Sequence, residues 1–177
     1  MDKHLNIVQR CLKGDLRAQK ELYDELSGRM LSLCLRYTAD RMTAQDMLQD
    51  GFVTLFTKLD TYKGDGSFEG WARRIFATTC LMHLRKKDAL KESDDIEEAF
   101  GVQEESADAP GQIGYKELMA LIMQMPDGYR VVFNMYVIEG YSHKEISQEL
   151  GISEVTSRSQ LGRARQWLQH KMNENGY

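Results

Sequence analysis

The chain has 177 residues, 42% hydrophobic and 28% charged, which suits one soluble domain or two small ones. No run approaches the roughly 20 consecutive apolar residues of a membrane span, so membrane insertion is not expected. The formal net charge of −4 argues against a nucleic-acid binder only if the charge is evenly spread, and residues 88 to 108 alone carry nine acidic side chains against Lys91, leaving +4 on the rest.

The N-terminal MDKHLNIVQRCLKGD has a helical apolar pattern rather than the apolar core of a signal peptide, and a cytoplasmic chain is expected. Proline and glycine are scarce in the periodic stretches and β-branched alternation is rare, so the fold class expected is all-α. The pattern predicts helices over about 3–13, 15–38 with a break near Gly28, 43–61, 69–87, 114–124, 128–138, 142–149 and 154–172. Cys11, Cys34 and Cys80 are odd in number and far apart, which predicts buried free thiols. Cys80 and His83 stand at C-x-x-H spacing, but no second ligand pair follows, so neither a metal nor a cofactor is expected.

Asp88 to Gln112 has linker composition, acidic and poor in large apolar residues, with Gly101 and Ala109-Pro110-Gly111 inside it. It divides the chain into two expected helical domains, 1–87 and 113–177, joined by an acidic flexible linker over 88–112.

Beyond the linker, LMALIMQMPDGYRVVFNMYVIEGYS reads as a helix pair whose Leu118, Leu121, Ile122, Met125, Val132, Phe133 and Met135 belong to a core. Ser142 and Glu145 then form a capping box, Gly151 permits a left-handed turn, and Ser153 caps a second helix. Helix, glycine turn and capped helix make a helix-turn-helix. Its second helix carries Thr156, Arg158, Ser159, Gln160, Arg163 and Arg165, with no acidic residue between Val155 and Met172. Arginine can donate two parallel bonds to guanine and glutamine can pair with adenine, while hydroxyls and further arginines hold phosphates.

At Thr156, Arg158, Ser159 and Arg163-Ala164-Arg165 this segment resembles region 4 of bacterial RNA polymerase sigma factors, which implies reading of the minus-35 promoter element. The family often has alanine at Ser147, glycine at Val155 and valine at Ser157, so base preference is expected to differ.

The stretch AQDMLQDGFVTLFTKLDTYKGDGSFEGWARRIFATTCLMHLRKKD is similar to region 2 of the extracytoplasmic-function group of these factors. Asp46, Gln49, Asp50 and Phe52 match D-x-x-Q-[DE]-x-F, which implies docking on core RNA polymerase; positions 46, 49 and 50 share a helical face that suits a basic partner. Phe68 and Trp71 stand where family members begin the helix that opens the minus-10 element, followed by Arg73, Arg74, Arg85, Lys86 and Lys87. Aromatic rings there can support unstacked bases and basic groups can hold the separated strand. Seven residues after the tryptophan the family commonly has asparagine, and this chain has Thr78; the aspartate or asparagine expected four residues later is Met82. Contact with the minus-10 element is therefore expected from Phe68, Trp71, Arg74, Thr78, Arg85 and Lys86, with the loop Thr61 to Phe68 sharing the reading of an extruded base through Gly64 and Gly66.

The resemblance implies a sigma factor and no enzyme, with core RNA polymerase, promoter DNA and an anti-sigma factor as partners, and a monomer when free. The rival readings are a helix-turn-helix regulator acting without polymerase and an enzyme using Asp46 and Asp50 as a magnesium pair. Against the enzyme, the chain has no phosphate loop, HExxH or nucleophile elbow.

Overall fold

The computed structural model describes residues 4–86 and 114–176, and among these every regular element is a helix. The acidic segment, Lys87 and the side chain of Lys86 lie outside the described residues. The chain divides into two compact units, Met1–His83 and Leu84–Tyr177.

In the first unit, α1 (His4–Leu12), α2 (Leu16–Thr38), α3 (Arg41–Thr57), a 3-10 turn (Leu59–Thr61) and α4 (Phe68–Lys86) follow in order. Asp15 starts α2 by accepting from the Arg17 and Ala18 amides at 2.9 and 3.2 Å, and Asp40 starts α3 by accepting from the Thr43 amide at 2.7 Å. Between them α2 ends at Ala39, whose φ of 55° makes it the one non-glycine left-handed residue among those described. Gly28 introduces no break: α2 runs through it without interruption from Leu16 to Thr38. Apolar residues at i, i+3 and i+4 put Leu22, Leu26, Met30, Leu33 and Tyr37 of α2 into the core. They share it with Ala44, Leu48 and Leu55 of α3 and with Ala72, Phe76 and Cys80 of α4. Gly51 lets α4 approach α3 closely: a methyl group at this position would run into the buried Phe76 ring. All three cysteines are free and buried, and the Cys80 thiol is held protonated by its hydrogen bond with Cys34 and by burial.

The second unit contains α5 (Tyr115–Gln124), α6 (Asp127–Phe133), a π-helical segment (Asn134–Ile138), α7 (His143–Leu150) and α8 (Glu154–Glu174). Pro126 stands at the N-cap of α6, and buried Arg130 closes the α5–α6 corner by donating to the Met125 carbonyl and to Asp127. The sequence pattern predicts one helix through residue 138, but the backbone widens after Phe133, where the Glu139 amide donates to the Asn134 carbonyl at 2.9 Å. Leu121, Ile122, Met125, Val132, Phe133 and Met135 are buried as their periodicity requires, and Leu118 is half-buried.

Candidate nucleic-acid and polymerase interfaces

The helix-turn-helix is built as its local chemistry dictates. The Ser142 hydroxyl accepts from the Glu145 amide at 3.2 Å and the Glu145 carboxylate accepts from the Ser142 amide at 2.8 Å, a reciprocal cap. Gly151 ends α7 at φ 68°, and Ser153 opens α8 by accepting from the Thr156 amide at 2.9 Å.

On α8 the buried stripe runs through Ser157, Leu161, Ala164 and Met172, and the exposed one through Arg158, Ser159, Gly162 and Arg163. Arg165 is exposed and Thr156 half-buried at the start of the helix. Gln160 departs from the expectation: it falls three residues after Ser157 and four before Ala164, so its side chain turns inward and is 5% exposed. Gln160 is thus off the exposed face of α8, and its Oε1 has no hydrogen-bond partner among the described residues. Arg158 pairs with Glu154 one turn back at 2.8 Å, an exposed ion pair of small worth that DNA can displace.

On α3, Asp46, Gln49 and Asp50 are exposed together, flanked by Met42 at 75% and Val53 at 67% exposure. Neither carboxylate has an ion-pair partner among the described residues. Phe52 corrects the fourth assignment on this helix. It lies on the opposite side, with Leu48 and Leu55, and packs its ring 4.5 Å from Tyr23 and edge-on 5.1 Å from Phe76. It props the acidic face from behind and has no surface to offer a partner.

Phe68 is a second correction. It is fully buried among His4, Tyr62 and Trp71, with ring centroids 5.1, 5.0 and 5.5 Å away, so no base can stack on it. Trp71 is half-buried, one side on that cluster and the other on a groove of roughly 280 Å3 lined by Thr54, Lys58, Thr61, Arg74, Thr78 and Met82 among others. The groove thus joins Trp71, Arg74 and Thr78, three of the residues the sequence singled out, while Arg85 is exposed further along α4. Thr54 of α3 and Lys58 just past its end reach it and were not foreseen, since nothing in the chain's order tells that α3 and α4 share a wall. Thr61, at the start of the loop to Phe68, lines the same groove; the loop itself is pinned by the Tyr62 hydroxyl donating to the Gly66 carbonyl at 3.0 Å.

Comparison with known families agrees with this geometry in both units. Residues 22–90 match the model of sigma-70 region 2, and residues 115–168 match that of sigma-70 region 4. The chain belongs to the sigma-70 family. The relatives place this sigma-70 chain in the ECF group. It is 26% identical to the ECF RNA polymerase sigma-E factor of Escherichia coli K12, over 94% of this chain and 92% of that protein. It is equally 26% identical to the RNA polymerase sigma-H factor of Pseudomonas aeruginosa, over 90% and 89%. The fold is shared with CnrH, solved in complex with the cytosolic domain of CnrY, at TM-score 0.53 and 19% identity over 96% of this chain and 97% of that one. It is shared too with the sigma factor RpoE of Bartonella quintana, solved with the anti-sigma factor NepR, at TM-score 0.54 and 19% identity over 89% and 98%.

Proposed function

We infer that this ECF sigma chain binds core RNA polymerase and directs it to promoters, leaving the chemistry of RNA synthesis to the polymerase. The observation that carries the reading is the presence of region 2 and region 4 in one chain, in order, over most of its length. On this reading Asp46, Gln49 and Asp50 meet a basic surface of the polymerase, with Met42 and Val53 adding apolar contact at the edges. Arg158, Ser159, Arg163 and Arg165, with Thr156 at the helix start, enter the major groove at the minus-35 element. The groove between α3 and α4 takes an unstacked minus-10 base against Trp71, with Lys58, Arg74 and Arg85 on the strand's phosphates. Thr78 offers one hydroxyl and a methyl where an amide could both donate and accept, so part of the base reading falls to Thr61 and its loop.

The functional boundaries proposed are 1–87, 88–112 and 113–177, with the acidic middle segment suited either to a basic channel of the polymerase or to a solubilising tether. The solved complexes of CnrH and RpoE support an anti-sigma factor as a further partner, and the site of action is the cytoplasm.

The test is transcription from genomic DNA by purified core polymerase with and without the chain, read by sequencing the transcripts. Discrete new start sites are expected, and they should vanish with Asp46→Lys combined with Asp50→Lys while duplex binding by region 4 persists. Duplex binding without any new transcript would favour a regulator that acts without polymerase contact.

A further inference from the structure

Two half-buried hydroxyls on the long helices of the first unit bond back to their own helix: Thr38 and Thr79 each donate to the carbonyl four residues earlier, at 3.0 and 2.9 Å. Ser157 is different. It is 0% exposed, sits between Thr156 and Arg158 on the recognition helix, and hydrogen-bonds through Oγ to Nδ1 of His143 on the preceding helix at 2.9 Å. The imidazole is itself held from the other side, stacked on Tyr136 of the π segment with centroids 4.4 Å apart and planes 22° from parallel. One side chain therefore ties three consecutive elements together, and the widened turn at Asn134–Ile138 is what carries Tyr136 over it.

The rest of the stripe that seats α8 offers little directional restraint. Leu161 and Ala164 are apolar, and apolar packing tolerates small rotations that hydrogen bonds do not. A rotation of α8 about its axis would swing Arg158 and Ser159 relative to the bases, where bidentate geometry is exacting.

We propose that His143 is a positioning residue for promoter recognition, setting the rotation of α8 through its bond to Ser157 so that the Thr156–Ser159 row meets the minus-35 bases in register. The proposal rests on the promoter-recognition reading above and adds to it a determinant that does not itself touch DNA. Burial and the cationic Arg158 and Arg165 hold the His143 pKa below its ordinary value, with Glu154 opposing them, so the ring is neutral at pH 7 and can either accept from or donate to the serine.

The test sets wild type beside His143→Phe, Ser157→Ala and the double variant, each with core polymerase on promoters randomised over the upstream element. Phenylalanine keeps a ring for Tyr136 and removes Nδ1. Both single variants should flatten base preference about tenfold at the same upstream positions, with the double variant no flatter than either. His143→Asn, whose terminal atom stands near the place of Nδ1, should retain the preference. An unchanged preference in His143→Phe overturns the proposal. So does flattening by His143→Phe that Ser157→Ala does not share, because His143 would then be a DNA contact. Full recovery in the double variant overturns it as well, since a stranded hydroxyl would have been the only fault. Should His143→Phe fail to fold, Ser157→Ala decides by the same criterion. If wild type yields no transcripts, the sigma-factor reading falls, and capture of the same library as duplex by the full chain alone decides the His143 proposal separately.

Discussion

The two units seat their working helices by different means. In the first, α3 and α4 meet through the Phe52 and Phe76 rings and a missing side chain, Gly51 making room for Phe76, and the start of α4 is held by a second ring cluster of Phe68, Trp71, Tyr62 and His4. In the second, the helix-turn-helix is set by short polar ties: a reciprocal cap at Ser142 and Glu145 on α7, a cap at Ser153 on α8, and the bond from His143 to Ser157 between them. Apolar interlocking gives stability with little directional demand, whereas hydrogen bonds contribute modestly to stability and strongly to orientation. Damage to the first unit should therefore register as unfolding, and damage to the second as misreading of DNA.

The sharpest way to break that contrast is Phe68→Ala. The ring is fully buried and touches three other rings, so its removal should destabilise the first unit by about 3–5 kcal/mol. Urea denaturation checks it; a loss below about 1 kcal/mol would mean that the cluster is not the unit's anchor. Two glycines, one per unit, give the next comparison. Gly51→Ala drives a methyl into a ring that has nowhere to go and should cost about 1–3 kcal/mol. Gly162→Ala lies on the exposed side of α8 with nothing within 4 Å, and should stabilise by up to about 1 kcal/mol from helix propensity alone. Equal effects at the two positions would erase the distinction.

On the polar side, Arg158→Ala should leave the melting temperature almost untouched, since the ion pair it loses is exposed. Recognition of one upstream base should weaken by about 1–3 kcal/mol. A loss that is uniform across sequences, with a shallower salt dependence, would make Arg158 a phosphate contact instead.

Legibility in the sequence divides along the same line. The caps at Ser142, Glu145 and Ser153 and the turn at Gly151 involve bonds within four residues, so they could be read from spacing alone. The acidic row of α3 was readable for the same reason, because positions 46, 49 and 50 share a face whatever packs behind them. Phe52 and Phe68 were misassigned because a family motif holds contact residues and the residues that support them side by side, and only tertiary packing separates the two. Gln160 failed similarly: its chemistry suits adenine, but its phase on α8 follows Ser157 and Ala164. The groove walls from Thr54 and Lys58, the π widening, and the bond from His143 to a serine 14 residues away depend on how helices meet.

The smallest effect expected is a pH dependence confined to the second unit. Burial lowers the His143 pKa first, Arg158 and Arg165 lower it further, and Glu154 offsets part of this. The free imidazole value is about 6.5, so between that pH and the lower folded value the unfolded chain binds a proton that the folded chain refuses. The stability His143 confers by staying neutral is thus fully present above about pH 6.5 and declines as the pH falls through that window, becoming constant again below the folded value. Each unit has one tryptophan, Trp71 in the first and Trp167 in the second, so a Trp71→Phe background reports on the second alone. Melts followed by fluorescence at pH 7.5, 6.5 and 5.5, chosen to span roughly the imidazole range, should show the His143→Phe protein losing less on acidification than its parent. Groups elsewhere titrate in both proteins and cancel in the difference. Parallel losses would mean that His143 carries no proton linkage to folding, and would leave its tie to Ser157 to be judged on DNA preference alone.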